Sequence, residues 1–303
     1  MSRDRGVTEP SRRYNSTGPK VQLDGPEGTT QRGRRLRVIG IGPGGVEQVT
    51  VEAVAAMRAV DWFLVLDKGA AERGGAPDPL VEVRAAVLEH HVGPEAVVVR
   101  VDDPPRERRT ELVGDDADYR AAVAAWHQAR TERIVGALTQ HPGDVGFLVW
   151  GDPAFYDSTL RVLDVVADVL HDSGEPAQVD VVPGISALQL LAARHRIVLH
   201  EVGRPLQITT GRALRAALEA GQDNLVVMLN RDLEELASPG LAEWSIWWGG
   251  NLGTATEELV AGRVGDVLAQ VRAARERARA EAGWVMDVYL LRSPSDAARE
   301  RRR

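Results

Sequence analysis

Three glycine- or proline-rich turns, each following a short β-like run and leading into a helical pattern, constrain the fold of this 303-residue chain most. They are Gly40-Ile41-Gly42-Pro43-Gly44-Gly45, Trp150-Gly151-Asp152-Pro153-Ala154-Phe155-Tyr156 and Val182-Pro183-Gly184-Ile185-Ser186. In an open parallel sheet, strand-to-helix turns line the crevice at the carboxyl ends of the strands, where ligands bind. Glycine lets a ligand or another backbone come close, and proline fixes the turn. Three such turns in one sheet point to a site.

The pattern around them alternates. Strands are expected at 36–41, 62–66, 96–101, 145–149 and 179–182. Helices are expected from Thr50, an N-cap candidate, and over 80–91, 118–140, 158–171 and 185–194, with a polar loop at 104–116. Short β runs alternating with helices imply a five-stranded, mainly parallel sheet. The pattern restarts near Pro205, with strands at 206–209, 225–229, 244–248, 258–260 and 284–291 and helices at 213–220 and 264–282. The fold class is therefore α/β, with two domains: 34–202, and a smaller mixed-sheet domain at 203–294. The crevice between them is the expected ligand site.

Residues 1–33 are rich in Arg, Gly, Pro, Ser and Thr and poor in large apolar residues. They bury too little to offset ordering entropy and are expected to be a disordered extension, as is the basic tail at 295–303. No apolar h-region marks a secretory signal, and no run approaches the roughly 18 residues of a membrane span. The chain has no cysteine, which excludes disulfides, thiolate metal sites and a cysteine nucleophile, and fits a cytoplasmic location. Residues 1–33 carry +2 and 299–303 carry +3, so the remainder of the overall −7 is −12. That argues against a nucleic-acid groove. His90 and His91 lack a third ligand at helical spacing, so no metal is expected. The charged run at 272–281 reads as a solvated helix face, and Trp244, Trp247 and Trp248 read as core or dimer interface.

Gly40-x-Gly42-x-x-Gly45 also matches the dinucleotide fingerprint, with Asp67 about 20 residues on. That fingerprint needs a helix opening directly at the glycines. Here Pro43 occupies the turn, and the helix cap at Thr50 lies five residues past Gly45. An NAD(P)-dependent dehydrogenase is the alternative this motif leaves open.

The longer pattern resembles the tetrapyrrole methylase family. The Gly-x-Gly-Pro-Gly turn runs on to Val49-Thr50, Gly45-Val46 standing where the family usually has Asp-Pro. Gly151-Asp152-Pro153-x-x-Tyr156, Val182-Pro183-Gly184-Ile185-Ser186 and Gly253-Thr254 are similar to its later motifs, in the same order, over about 36–292. Leu66-Asp67-Lys68-Gly69, Tyr156-Asp157-Ser158-Thr159-Leu160-Arg161, Ala193-Arg194-His195-Arg196-Ile197, Ile208-Thr209-Thr210-Gly211-Arg212 and Trp247-Trp248-Gly249 look like its deacetylating precorrin-6A synthase branch.

The resemblance implies C-1 methylation of precorrin-5 with release of acetate, using S-adenosylmethionine, in an enzyme that is usually a homodimer. A sister precorrin methylase and a non-catalytic tetrapyrrole-binding protein are the other readings. Cofactor contacts carried over by motif position are Pro43, Gly151, Asp152, Phe155, Ser186, Ala187, Leu229 and Gly253. The macrocycle would lie near Gly42 and Gly44, with Arg194, Arg196 and Arg212 pairing its carboxylates. Asp67 is the implied proton carrier, with an ion pair or a cap as its other reading. Asp67, Tyr156 and His195 are the candidate bases for acetate release.

Overall fold

The computed structural model describes residues 33–67, 78–105 and 116–294, with side chains from 121 in the last segment. The expected extension before Gly33, the basic tail, Lys68, Gly69 and most of the 104–116 loop lie outside the described residues.

The first sheet contains β1 Arg34–Gly40, β2 Trp62–Asp67, β3 Val98–Asp102, β4 Val145–Val149 and β5 Ala177–Val182. Its order is β3-β2-β4-β1-β5 and every pairing is parallel. β4 (VGFLV) is buried at every position, the continuous apolar run a strand needs when both faces are covered. Helices α1 Val51–Arg58 and α2 Pro79–His91 cover one face through Met57, Val87 and Leu88 on Ile39, Phe63 and Leu148. Helices α3 Asp116–Gln140 and α4 Thr159–Asp172 cover the other through Ile134, Leu138, Val162 and Val166 on Leu36, Val38 and Phe147. Adjacent strands β1 and β4 thus send their chains to opposite faces, which opens a crevice between the turns that follow them.

The sheet is not continuous to its carboxyl edge. β2 and β4 pair only at Trp62–Val145 and Phe63–Gly146, whereas β2 stays with β3 as far as Asp67–Asp102. Beyond Gly146 the β2–β3 pair leaves β4.

The second sheet holds β6 Gln207–Thr210, β7 Asn224–Met228, β8 Ser245–Gly250, β9 Glu258–Arg263 and β10 Asp287–Arg292 in the order β6-β7-β10-β8-β9. β6 and β7 are parallel and the other pairs antiparallel, so the sheet is mixed. Helix α5 Ala187–His195 follows β5, yet packs Leu188, Leu190 and Leu191 on Val226, Leu252, Val288 and Leu290 of this second sheet. Its other face is covered by α6 Leu214–Glu219 and α7 Val264–Ala282. Both sheets belong to one compact unit.

Element boundaries differ from the sequence expectation where capping or local contacts intervene. Helix α5 starts at Ala187 because Ser186 and Gln189 form a capping box. The last strand starts at Asp287, not 284, because Met286 exchanges hydrogen bonds with Asn251 instead of extending the ladder. The run at 272–281 is not wholly solvated. Arg275 is buried on α7 and pairs with buried Asp287 at 2.9 Å, because its position on the helix faces the second sheet. Trp248 is fully buried core.

Candidate active site

The three turns are stitched together through main chain. Gly42 and Gly151 form an antiparallel bridge, with N–H···O distances of 3.2 and 2.8 Å. Asp152 holds the second turn to the third: Oδ2 accepts the Gly184 N–H at 2.9 Å, and Oδ1 accepts that of Ala154 at 2.8 Å. A Cβ on Gly184 would collide with the Gly151 carbonyl oxygen and with the Gly40 backbone, so only glycine permits this approach. A fourth turn joins from the second sheet, since a Cβ on Gly253 would collide with the Gln48 side chain and lie 2.9 Å from the Gly45 nitrogen.

Under these turns lies a cleft of about 360 Å³ between the sheets. Pro43, Gly151, Asp152, Phe155, Ser186, Ala187 and Leu229 line it, which brings seven of the eight sequence-nominated cofactor residues to one place. Gly253 is not among the lining residues, but its neighbours Asn251 and Leu252 are. The size falls within the range of small-molecule sites, about 300–1,000 Å³. Phe155, Ala187 and Met228 provide an apolar wall continuous with the α5 core.

Backbone strain concentrates here. Four non-glycine residues have positive φ among those described, and Tyr156 (53°), Leu229 (53°) and Asn251 (47°) all line this cleft. The fourth, Arg196, ends α5 as a left-handed cap. Such conformations each cost on the order of 1–3 kcal/mol and cluster at ligand sites. Leu229 is also 61% exposed, so burial does not explain its position.

A buried network supports the loop after β7. The Arg275 Nε–H and the Trp248 Nε1–H donate to Asp287 Oδ2 at 2.9 and 3.1 Å. Arg275 Nη2 donates to the carbonyls of Asn230 and Arg231 at 3.1 and 3.2 Å, which fixes the strand end carrying Leu229. Burial raises the Asp287 pKa, while Arg275 and the indole pull it back down. The Asn230 Oδ1 is buried beside Gly211 without a hydrogen-bond partner among the described residues.

A second cleft, of about 560 Å³, shares Leu80, Arg84, Tyr156, Asp157 and Leu229 with the first and extends over the α3–α4 face. Tyr156 and Arg212 line it. Burial raises the Tyr156 pKa, so its hydroxyl stays a neutral donor through the physiological range.

Other nominated residues stand elsewhere. Asp67, at the end of β2, has Arg100 Nη1 at 3.8 Å and lines neither cleft. His195 is the last residue of α5, roughly 12 Å of helix rise from the Ser186 end. Its Nε2–H donates to the Trp248 carbonyl at 3.0 Å, and burial lowers its pKa against the pull of that carbonyl and Glu257. Arg194 pairs with Glu257 at 2.8 Å, and Arg196 is an exposed cap. Gly42 lies in the bridge, and Gly44 faces the Leu252–Thr254 turn. Among the described residues no group of three or more His, Asp or Glu is placed to hold a metal.

The dinucleotide reading loses its footing. The glycines lead into a 3₁₀ turn, Val46–Gln48, and α1 opens only at Val51, with Thr50 Oγ1 accepting the Ala53 N–H at 3.1 Å. The following helix therefore does not open at the glycine turn, as that fingerprint requires.

Residues 35–268 match the sequence model of the Tetrapyrrole (Corrin/Porphyrin) Methylases. The chain belongs to the tetrapyrrole methylase family. A precorrin-6A synthase (deacetylating) of Sinorhizobium sp is 38% identical over 274 residues, covering 87% of this chain and 97% of that protein. The crystal structure of a cobalamin synthesis related protein (CobF) from Corynebacterium diphtheriae superposes with a TM-score of 0.68 at 32% identity, covering 86% of this chain and 98% of that one. A cobalt precorrin-4 methyltransferase (CbiF) shares the fold, with a TM-score of 0.51 at 15% identity, covering 86% of this chain and 94% of that one.

For this tetrapyrrole methylase, sequence reasoning missed Asn251, Asn230, Arg275 and Arg84. Asn251 had a signal: it follows Gly249-Gly250, and asparagine is among the few residues that tolerate a left-handed backbone. The two arginines had none, because their roles depend on contacts between elements far apart in sequence.

Proposed function

We propose that this chain is an S-adenosylmethionine-dependent C-methyltransferase of cobalamin biosynthesis, acting in the cytoplasm as a homodimer. In this reading it converts precorrin-5 to precorrin-6A by C-1 methylation with release of acetate. The observation that carries it is the joining of the three turns and the Gly253 turn around one cleft, in a chain 38% identical to a deacetylating precorrin-6A synthase along 97% of that protein.

The residues present fit a donor of this kind. The cleft offers main-chain edges at Gly151 and Pro43 and an apolar wall at Phe155 and Met228 for a flat ring. When bound, the sulfonium of S-adenosylmethionine supplies an activated methyl group. The protein then needs only to align a ring carbon with it and keep water away. Strained Leu229 and Tyr156 lie where the two clefts meet, and position the macrocycle over the donor. The neutral Tyr156 hydroxyl is in place to donate to a substrate oxygen. Asp67, with Arg100 beside it, carries a proton from the edge of β2.

The test is incubation with precorrin-5 and methyl-labelled S-adenosylmethionine, followed by mass analysis and an acetate assay. Label gain with one acetate per methyl group supports the assignment. Label without acetate moves the chain to a sister step, and no label from an active precorrin pool overturns the reading.

A further inference from the structure

We propose that the gap between β2 and β4 is a carboxylate subsite in which Arg84 is the binding residue. This rests on the functional reading above for the identity of its ligand. Val149 turns its carbonyl toward β1, where the Ile41 N–H takes it at 2.9 Å. The carbonyl of Leu148 therefore faces the other way, toward β2, whose ladder with β4 has already ended at Phe63–Gly146. Arg84 enters from α2 and fills that place: Nε donates to Leu148 O at 2.9 Å and Nη1 to Leu80 O at 3.2 Å.

The guanidinium therefore lines both clefts at their junction, held by neutral carbonyls. It forms no ion pair among the described residues, and the nearby acids are engaged elsewhere. Arg130 clamps Asp103 through two hydrogen bonds of 2.6 and 2.5 Å, and also donates to Ser158 Oγ at 3.2 Å. Asp157 accepts the Thr159 N–H at 2.6 Å, and Asp78 caps α2 through the Leu80 N–H at 3.0 Å. Nη2 of Arg84 makes no hydrogen bond among the described residues, and the side chain lines both clefts. Desolvation lowers the Arg84 pKa, and the fields of Asp78 and Asp157 only partly oppose it. A desolvated cation without an ion-pair partner is compensated by an incoming carboxylate, which a guanidinium can bind through two N–H groups.

That carboxylate is either a peripheral side chain of the macrocycle or the acetate as it is released. Arg84→Gln and Arg84→Lys distinguish the sources, with S-adenosylhomocysteine binding by calorimetry as the check that the donor cleft is intact. For a peripheral carboxylate, R84Q raises the precorrin-5 KM about 10- to 100-fold, with acetate and methyl still matched, and R84K recovers part of the loss. For released acetate, R84Q keeps the precorrin-5 KM but lowers kcat about 10- to 100-fold, with methyl and acetate still matched. R84Q that binds S-adenosylhomocysteine normally, with unchanged KM, kcat and acetate yield, overturns the subsite.

If neither variant folds, the wild-type enzyme is titrated with sodium acetate at constant ionic strength. Inhibition competitive with precorrin-5 supports the subsite, and its absence overturns it. If the wild-type enzyme transfers no methyl group, the functional reading fails separately. The subsite then stands or falls on whether uroporphyrin, used as a carboxylate-bearing probe, binds the wild type more tightly than R84Q.

Discussion

At residue scale, the site depends on positions that cannot carry the side chain another protein would place there. Gly184→Ala puts a methyl group onto the Gly151 carbonyl and the Gly40 backbone, neither of which has a flexible end to move. We expect a loss of about 1–3 kcal/mol in urea denaturation, the usual cost of overpacking, together with weaker S-adenosylhomocysteine binding. Leu229→Gly is expected to separate strain from function. The glycine relieves a positive φ at an exposed position, so stability holds or rises by about 0.5–1 kcal/mol. Donor affinity measured by calorimetry falls, because the loop is no longer held in its binding conformation. A stable L229G enzyme with unchanged affinity removes Leu229 from the site. Proton linkage is expected at His195. Its pKa is depressed by burial, so the folded state resists the proton that the unfolded chain accepts near pH 6.5. The stabilisation is present above that pH and disappears as pH falls through the depressed value. Denaturation at about pH 7.5 and about pH 5.5 should show a smaller acid loss in H195Q, whose amide can still donate to Trp248 O.

At element scale, the chain shows how far local pattern reaches. The strands, the Thr50 cap and the three turns were legible because each depends on residues adjacent in sequence. Six of the seven nominated residues that meet in one cleft do so for the same reason: each sits on a turn whose glycine or proline announces it, whereas Leu229 follows β7 in a turn with neither. Register and splay were not legible. Nothing in Trp62–Asp67 says that pairing with Val145–Val149 stops after two residues, because both strands read as ordinary apolar runs. The charged helix at 272–281 hid Arg275 in the same way, since only the packing of α7 on the second sheet decides which arginine faces inward. Arg275→Met leaves Asp287 as a buried acid without its cation and frees the carbonyls of Asn230 and Arg231. We expect it to cost about 3–5 kcal/mol, with donor affinity falling as the loop after β7 loosens, both read from denaturant melts with and without S-adenosylhomocysteine.

For the whole molecule, the two sheets are expected to unfold together. Helix α5 follows the first sheet in sequence but belongs to the core of the second, and the Gly45 and Gly253 turns meet at backbone contact. Calorimetry should therefore give one transition, moved upward as a whole by S-adenosylhomocysteine, by about 2.7 kcal/mol of stability at a hundred times Kd. Two transitions, only one of them ligand-sensitive, would show that the halves are independent. The backbone stitching of the turns also predicts how this enzyme tolerates change. A wall made of main chain can accept variation in most of the residues that bear it, because their side chains are not what touches its neighbours. A saturation library selected for donor binding should therefore show isolated intolerant positions, Gly40, Gly184 and Gly253 among them, separated by permissive ones. The binding site would be recorded as spacing more than as residue identity, free to change its substrate while keeping its donor.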